Sequence, residues 1–449
     1  MKKIVCILLS MFMTASVACA ESITRTITSL GVNKSAVSVS IKDVQSGNTI
    51  YKLNERAPMT PASTLKVLTS SAALNTLGKD FLYSTKLYKS TNNDLYLKLS
   101  GDPLFTSGDL GVLVEAAKAK NISPKNFYID DSVFDRNEWG EGWQWDDDLN
   151  PLMPKFSAYN IDKNLVKIEV SPSNDKTPAS LVVKPFYPIT FTNLVITDFS
   201  LPNNIKIDRD NAIAPNVLNI SGVVSKIAYK VVPVANPKMN FILRLEETIL
   251  NKKLEYFEPI KFAALPKTNV YLVSEMVHDM SSVLSNILKS SDNLTAETLF
   301  KTAGSVWARS QGNISNSLNM LEAYLNKIDL EHEDIKVVDG SGVSKNNIIT
   351  ADFMSDFLVY RASNDDFEDF MLMFPAPGEG TLKNRMLYFK DNLRAKTGTL
   401  SDTSAIAGYI KSRRGKLYAF DIMINDAKTS SADKKNVEEQ ILRNIYANY

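Results

Sequence analysis

Hydrophobic and polar positions alternate in two runs within residues 36–55, "AVSVSIKDVQSGNTIYKLNE". Such alternation is typical of β-strands, and the Gln-Ser-Gly-Asn sequence at 45–48 suits a hairpin turn. A helix-like apolar run from Thr64 to Leu77 follows, and Gly78 is placed to cap its C-terminus. The pattern therefore predicts a β-hairpin followed by a helix.

From about residue 83 to residue 266 the pattern changes to short β-like runs interrupted by proline and asparagine. Examples are "DLYLKLS", "SLVVKPF", "NLVITDF" and "IAYKVVPV". Runs of this length with such punctuation are typical of strands and loops. We expect one or two β-rich modules in this part of the chain.

Helical patterns return at residues 277–304 and 315–328, and three strand-like runs with a turn at 413–415 follow within residues 392–425. The final segment places four apolar residues along one helical face: Val437, Ile441, Leu442 and Ile445. Such a stripe favours a helix that faces the core, and the alternative is a helix lying on a membrane surface.

The chain has 449 residues, which is more than one hydrophobic core usually organises, so two or three domains are expected. Its hydrophobic content of 44% and charged content of 22% are those of an ordinary globular protein. A formal net charge of +1 offers no broad attraction for a polyanion. The composition therefore gives no support to nucleic-acid binding.

The N-terminus carries two lysines, an apolar stretch from Ile4 to Met13, and small residues before a cleavage point after Ala20. This is the pattern of a secretory signal over residues 1–20, and it is too short for a membrane span. We therefore expect a protein of the periplasm or cell envelope without an integral membrane span.

Both cysteines, Cys6 and Cys19, lie inside this signal segment, so the mature chain would contain no thiol. That excludes disulfides, thiolate metal sites and cysteine catalysis together. A lipidated N-terminus at Cys19 is the alternative, although Ser16 stands where a lipoprotein signal usually has leucine.

The two histidines, His278 and His332, lie in no recognisable catalytic or zinc-binding motif. We interpret both as ordinary surface or core residues. A mechanism built on a serine-histidine-aspartate triad is accordingly disfavoured.

A Ser-x-x-Lys pair, Ser63 and Lys66, begins the first helical run, directly after Pro61. A serine at a helix start and a lysine three residues later lie on one face, within reach of each other. Taken alone the pair is weak, because a helix-capping serine beside a solvated lysine gives the same pattern. The pair also recurs elsewhere, at Ser173/Lys176 and Ser431/Lys434.

Two further motifs follow in order. Ser291-Asp292-Asn293 joins two helical runs, and Lys396-Thr397-Gly398 occurs once, in a β-like run. Each has an ordinary explanation, a capping serine and a surface lysine beside a strand irregularity. Together with Ser-x-x-Lys they form the motif set of penicillin-binding proteins and class A β-lactamases.

The chemistry explains why these residue types are needed. The Ser63 hydroxyl is a poor nucleophile until a base removes its proton, and Lys66 must be neutral to act as that base. Burial, the helix N-terminus and the second ammonium, on Lys396, all lower the pKa of Lys66. Ser291 can pass the proton to the leaving amine, and Asn293 can hold the substrate amide. The set calls for no metal ion or cofactor.

Ser63 and Ser291 are separated by about 230 residues, far more than a helix-to-helix connection needs. Residues 21–83 and 271–449 make about 240 residues, a reasonable size for one domain. An insert over residues 84–270 explains the separation.

This arrangement resembles the class C low-molecular-mass penicillin-binding proteins, the D-alanyl-D-alanine carboxypeptidase/endopeptidases. The segments "MTPASTLKVLTSSAALNTLG", "SDNLTAETL" and "KTGTL" look like that family's active-site segments. "GEGWQWDDDLNPLMPKFSAYN" resembles its insert segment and "VVDGSGVSKNN" its Asp-Gly-Ser-Gly turn. The resemblance covers nearly the whole mature chain.

The resemblance implies an α+β fold of the β-lactamase/transpeptidase type, with an antiparallel sheet flanked by helices, a helical subdomain and the β-rich insert. It also implies two nested modules in the insert, about 84–165 with 240–270, and 166–239. The backbone N–H groups of Ser63 and Thr399 would bind the oxyanion. Lys396, Thr397 and Thr399 would bind the substrate's terminal carboxylate, beside Gly398.

The substrate implied by the resemblance is the D-Ala-D-Ala terminus, or the D-Ala-diaminopimelate cross-link, of peptidoglycan stem peptides. β-Lactams would acylate Ser63. Asp339 and Ser341 are interpreted as members of a tight turn that lines the cleft, and Trp139, Trp143 and Trp145 as packing within the insert.

Two other functions stay open at this point. A β-lactamase on the same scaffold would need a base for fast deacylation, and no Glu-x-x-Leu-Asn segment is evident. A catalytically silent peptidoglycan-binding scaffold would retain the fold without turnover.

Overall fold

The computed structural model describes residues 23–25, 27–209 and 214–449. The expected signal segment, residues 1–20, lies outside these residues together with both cysteines. Within the part of the chain that is described, no helix is both long and apolar enough to cross a bilayer.

The strands are short to medium in length and fall throughout the chain. In chain order they are β1 (Val37–Asp43), β2 (Thr49–Leu53), β3 (Leu82–Ser90), β4 (Leu95–Lys98), β5 (Phe127–Asp130), β6 (Leu165–Ser171), β7 (Ser180–Lys184), β8 (Thr190–Thr197), β9 (Asn204–Asp208), β10 (Val217–Val224), β11 (Ala228–Pro233), β12 (Lys261–Phe262), β13 (Val270–Asp279), β14 (Leu393–Thr399), β15 (Thr403–Lys411) and β16 (Leu417–Asn425).

The helices are concentrated in the C-terminal half. In chain order, those that lie wholly within the described ranges are α1 (Leu65–Leu77), α2 (Ser107–Ala119), α3 (Pro237–Lys252), α4 (Met280–Ser290), α5 (Asn293–Ala308), α6 (Ile314–Lys327), α7 (Ala351–Ala362), α8 (Phe367–Leu372) and α9 (Ser431–Asn448). This mixture of sheets and segregated helices confirms the α+β class.

The main sheet has the order β14-β15-β16-β1-β2, with antiparallel neighbours throughout. It joins the predicted N-terminal hairpin to the predicted C-terminal strands, and both are confirmed. On one face lies α9, whose predicted stripe is fully buried against the sheet. The stripe therefore faces the core, as the apolar periodicity indicated.

The other face of the main sheet is covered by a helical layer that includes α1, α4, α5, α6 and α7. Helix α1 is buried from Leu65 through Leu74 because it runs through the middle of this layer. It ends at Gly78, which adopts a φ of +82° and caps the helix as predicted. The first turn of this central helix carries Lys66.

The chain between β3 and β13 forms three further sheets. One has five strands in the order β12-β5-β4-β3-β13, and two have three strands each, β8-β10-β9 and β11-β6-β7. Strand β13 pairs with β3 along its length and leads directly into α4, so the chain returns beside its point of departure. Helices α2 and α3 also lie here, although the sequence pattern predicted strands and loops alone.

Candidate active site

Ser63 lies in a tight turn, the 3-10 segment Ala62–Thr64, directly before α1. The turn is fixed by a hydrogen bond from the Thr64 hydroxyl to the Pro61 carbonyl, at 2.8 Å. Ser63 is not the N-cap of α1, since that position belongs to Thr64. Its Oγ instead accepts a hydrogen bond from Lys66 Nζ at 2.8 Å. The helix-capping explanation of the serine is therefore wrong.

Lys66 is completely buried, and its ammonium group has three acceptors within hydrogen-bond distance. These are Ser63 Oγ at 2.8 Å, Asn293 Oδ1 at 2.6 Å and the Ser341 carbonyl oxygen at 2.5 Å. Burial of a lysine without a directly paired carboxylate disfavours its charged form. The side chain is thus held in one place while its charge is destabilised.

The pKa of Lys66 falls to about 8 because burial penalises the ammonium. The negative charges of Asp339, Glu297 and Asp292 act in the opposite direction and raise it. The effect of burial on the pKa is larger than that of the three carboxylates, so a substantial fraction of Lys66 is neutral near pH 8. The lysine can then act as a general base toward Ser63.

A second lysine and serine face each other across the site. Lys396, on β14, donates to Ser291 Oγ at 2.8 Å and to the carbonyl of Thr397 at 2.6 Å. Ser291 joins α4 to α5 with a φ of +60°, which turns its side chain to this position. Lys396 is fully buried, and its pKa is lowered by that burial and by the charge of Lys66.

Asn293 is the first residue of α5, and it links the base to the wall of the site. Its Oδ1 accepts from Lys66, and its Nδ2 donates to the Leu152 carbonyl at 2.7 Å. Asp292 caps α5 by accepting from the backbone N–H of Thr295. The Ser-Asp-Asn motif therefore combines a helix start with two side chains that line the cleft.

Strand β14 lies directly against the turn that carries Ser63. A Cβ atom on Gly398 would come within 2.9 Å of both the Ser63 nitrogen and the Pro61 carbonyl oxygen. Glycine allows this approach because it has no Cβ atom. The Thr397 hydroxyl donates to Thr381 at 2.8 Å, and Thr399 is exposed at the end of the strand.

These groups meet at a cleft of about 870 Å³. Its lining includes five of the eight residues proposed from the sequence, namely Ser63, Ser291, Asn293, Thr397 and Thr399. Lys66 and Lys396 lie beneath it and are joined to it by the hydrogen bonds above. The fold therefore brings the three motifs together although they are far apart in the chain.

One wall of the cleft comes from the segment between β5 and β6, including Trp143, Asp147 and Leu152. The sequence predicts packing within the insert for the tryptophans of this segment and gives no sign that it lines the site. Thr381 and Arg385 on the opposite side were missed as well. A cleft wall has no motif of its own, because its members share only a position in space.

Trp143 is buried and stacks edge-on against Trp139 and Phe156. Its indole Nε1 donates to Asp339 Oδ2 at 3.0 Å. Trp143 therefore packs within the insert, as expected, and it also contacts the Asp-Gly-Ser-Gly turn outside the insert. Asp339 is fully buried and also accepts from the Gly342 N–H, so it holds that turn in place.

Both histidines lie elsewhere. His278 contacts Asp102 at 2.6 Å, and His332 contacts Glu322 at 3.1 Å. Neither is among the residues that line the described cleft. The described residues also contain no cluster of three or more His, Cys, Asp and Glu side chains placed to hold a metal ion.

Comparison with known proteins identifies the family of the chain. The family model for the D-Ala-D-Ala carboxypeptidase 3 (S13) family matches residues 19–447. The chain belongs to this family. The peptidase is 26% identical over 433 residues to the D-alanyl-D-alanine carboxypeptidase DacB of Haemophilus influenzae, covering 90% of this chain and 89% of that one. It is also 26% identical to the D-alanyl-D-alanine carboxypeptidase of an Actinomadura species, covering 86% and 77%.

Among solved structures, penicillin-binding protein 4 of Haemophilus influenzae superimposes with a TM-score of 0.83 at 24% identity. The match covers 95% of the peptidase and 99% of that chain. The same Haemophilus protein in complex with a β-lactam gives a TM-score of 0.78. The resemblance to class C low-molecular-mass penicillin-binding proteins is thus confirmed, and the protein is a D-Ala-D-Ala carboxypeptidase.

Proposed function

We propose that the carboxypeptidase reaction runs through an acyl-enzyme on Ser63, with Lys66 as general base and Ser291 as proton carrier. The observation that carries the proposal is the pair of serine–lysine contacts, each at 2.8 Å, at one cleft. Two buried lysines with lowered pKa values, each beside a serine hydroxyl, suit proton transfer near neutral pH.

The substrate would lie between β14 and the turn of Ser63. Lys396, Thr397 and Thr399 would bind its terminal carboxylate, and Asn293 would hold its amide. The oxyanion would be bound by the backbone N–H groups of Ser63 and Thr399. The close approach of Gly398 to the Ser63 nitrogen supports this assignment, because it places that N–H beside the strand.

In the acylation step, Ser63 Oγ attacks the carbonyl carbon between the two D-alanines while Lys66 takes the hydroxyl proton. The C–N bond then breaks, and the proton passes through Ser291 to the departing amine of D-alanine. In the second step, water attacks the ester, the ester C–O bond breaks, and the proton returns to Ser63. No other reactant is consumed.

We place the reaction on peptidoglycan stem peptides in the periplasm or cell envelope, including D-Ala-diaminopimelate cross-links. The N-terminal signal pattern supports this location. The cleft volume of about 870 Å³ leaves room for a peptide, since small-ligand pockets are typically about 300–1,000 Å³.

We also propose that β-lactams acylate Ser63. A structural relative, the Haemophilus influenzae penicillin-binding protein 4, has been solved in complex with a β-lactam. A β-lactam presents a carboxylate and a strained amide in the positions of the peptide substrate. The same groups of the cleft would therefore bind it.

The test measures D-alanine release from a D-Ala-D-Ala pentapeptide by the wild type and by Ser63→Ala. A fluorescent penicillin is used in parallel. We expect release and stable labelling by the wild type and neither by the variant. Absence of labelling in the wild type would overturn the proposal, rapid loss of label would indicate a β-lactamase, and labelling without peptide hydrolysis a silent scaffold.

A further inference from the structure

A buried carboxylate lies beneath the base. Glu297 is on α5, one turn after Asn293, and its side chain is only 1% exposed. Its Oε1 accepts from the Ser341 N–H at 2.8 Å, and both its oxygens accept from the Gly340 N–H at 3.0–3.1 Å. The carboxylate therefore holds the backbone between Gly340 and Ser341.

The same stretch of backbone contacts α1. The Ser341 carbonyl accepts from Lys66 Nζ at 2.5 Å, and the Gly340 carbonyl accepts from the Thr69 hydroxyl at 2.8 Å. The turn is thus held by Glu297 through its N–H groups and by α1 through its carbonyl groups. A displacement of the Ser341 carbonyl would remove one of the three partners of the base.

The Ser341 carbonyl matters because it limits how the neutral amine of Lys66 can orient its hydrogen bonds. The charged ammonium of Lys66 has three protons for its three acceptors, whereas the neutral amine has two protons and one lone pair. The Ser341 carbonyl oxygen and the amide oxygen of Asn293 can only accept hydrogen bonds. When both take the two protons, the lone pair is left facing Ser63 Oγ, as proton abstraction requires.

We propose that Glu297 is a positioning residue for the base: it fixes the Ser341 carbonyl, which in turn directs the Lys66 lone pair at Ser63. The inference rests on the proposed function, in which Lys66 removes the proton from Ser63. Glu297 itself touches neither Ser63 nor the cleft, and it is absent from the residues that line it.

The negative charge of Glu297 also affects the pKa of Lys66. The charged groups acting on Lys66 are Asp339 from the turn, Glu297 from α5 and Asp292, which caps α5. Lys396 on β14 is the neighbouring cation, and the charge of Lys66 lowers its pKa. Burial and then the neighbouring Asp339 raise the pKa of Glu297 to about 8, while the charge of Lys66 lowers it. As an anion, Glu297 raises the pKa of Lys66. Removing that charge should therefore lower the pKa of the base.

The experiment measures the second-order rate of acylation by a fluorescent penicillin from pH 5 to pH 10 in three variants. Glu297→Gln keeps an acceptor for the Ser341 N–H but removes the charge, and Glu297→Ala removes both. Thr302→Val, on the same helix, removes a buried hydrogen bond to Tyr83 remote from the base and serves as the stability control. Melting temperatures are recorded for all variants.

For Glu297→Gln we expect the acid limb of the profile to move to lower pH by about half a pH unit, because Glu297, with a pKa of about 8, is only partly charged where Lys66 titrates. The plateau should stay within about threefold of wild type. For Glu297→Ala we expect a plateau about 100-fold lower, because the base is no longer aligned. Thr302→Val should lower the melting temperature and leave the pH profile unchanged.

Wild-type rates and profiles in both Glu297 variants would overturn the inference. So would equal plateau losses in both variants without a shift of the acid limb, since that result indicates a purely structural role. If the wild type itself is not acylated, the proposed function fails instead, so the two failures are distinguishable.

Discussion

Two fully buried lysines share one active site, and each donates to a serine hydroxyl. The charge of Lys66 lowers the pKa of Lys396, because two cations in a low-dielectric interior repel. The proposed roles therefore require that Lys66 is neutral when it removes the proton and that Lys396 is charged when it binds the substrate carboxylate.

The pH dependence of acylation follows from the base. Only neutral Lys66 accepts the Ser63 proton, so the acylation rate should rise with pH through about 8, the lowered pKa of Lys66, and level off above it. Lys66→Arg stays protonated across this range and should lose about 1,000-fold in rate. Penicillin acylation rates measured against pH test this, and a flat profile in the wild type would contradict it.

Asp421 is a buried carboxyl in the middle of the main sheet, between Ser40 and Ala407 of the neighbouring strands. Neither of its oxygens has a hydrogen-bond partner among the described residues. Burial, and then the charge of Glu438, raise its pKa well above the usual value. Its contribution to stability is therefore greatest at low pH and is lost as the pH rises through the raised pKa.

Replacing this carboxyl by an apolar group should stabilise the fold at neutral pH. For Asp421→Val we expect the free energy of unfolding at pH 8 to rise by about 1–3 kcal/mol, and by less at pH 4.5. Urea unfolding at both pH values measures the difference. A loss of stability at pH 8 would show that the buried carboxyl does not destabilise the fold. A gain of equal size at both pH values would show that its pKa is not raised.

At the scale of elements, the turn of Ser63 is held between two close-packed glycines. Gly398 approaches from β14, and Gly342 approaches from the Asp-Gly-Ser-Gly turn with a φ of +77°. A Cβ atom on Gly342 would lie 2.0 Å from the Ala62 carbonyl oxygen. Ser63, the proposed nucleophile, is thus positioned by backbone contacts with both β14 and the Asp-Gly-Ser-Gly turn.

Gly342→Ala should therefore displace the nucleophile, whereas Gly378→Ala is a matched control. Gly378 has a φ of +92°, but a Cβ atom there would meet nothing within 4 Å. The control should cost only the left-handed backbone penalty, about 1–2 kcal/mol. Gly342→Ala should cost more and also slow acylation by at least about tenfold. Equal stability losses with unchanged acylation in both variants would refute this role of Gly342.

The main elements could be predicted from periodicity, while α2 and α3 were not. Their start signals are present: Thr106 and Asp109 form a capping box, and Asn236 caps a helix with Pro237 in its first turn. In the sequence these residues look like those of turns, because the same residue types are common at helix N-termini and in turns. Only the neighbouring sheet decides between the two.

The site could be predicted in part. Ser63, Lys66, Ser291 and Lys396 carry reactive side chains, so their motifs were visible. The Ser341 carbonyl is a backbone group, and backbone groups carry no signature in the sequence. The turn itself was expected at the cleft, but the contact of the Ser341 carbonyl with Lys66 depends on tertiary packing and could not be predicted.

For the whole molecule, we propose that residues 84–270 are an insert in a domain made of residues 21–83 and 271–449. One hydrophobic core in this region draws on residues 87–161 and 241–276, and another on residues 149–243, centred on β6 to β11. These cores support two nested modules, with the inner one over about 166–239. The Val234 N–H bonds to the Asn164 carbonyl, so the inner module begins and ends side by side.

Excision of the inner module tests this organisation. A variant in which residues 166–233 are replaced by a short flexible linker should remain folded, because its ends are adjacent and other cores are intact. We expect penicillin acylation within about threefold of wild type. Circular dichroism and acylation rates provide the measurement, and a soluble, folded variant without acylation would show that the inner module supports the cleft.

The most direct test of the central claim is to identify the residue that is acylated. The wild type is incubated with penicillin G, digested, and mapped by mass spectrometry. The structure predicts one adduct, on the peptide that carries Ser63, with none in Ser63→Ala and a much slower appearance in Lys66→Arg. An adduct on another residue, or an adduct that persists in Ser63→Ala, would contradict the account.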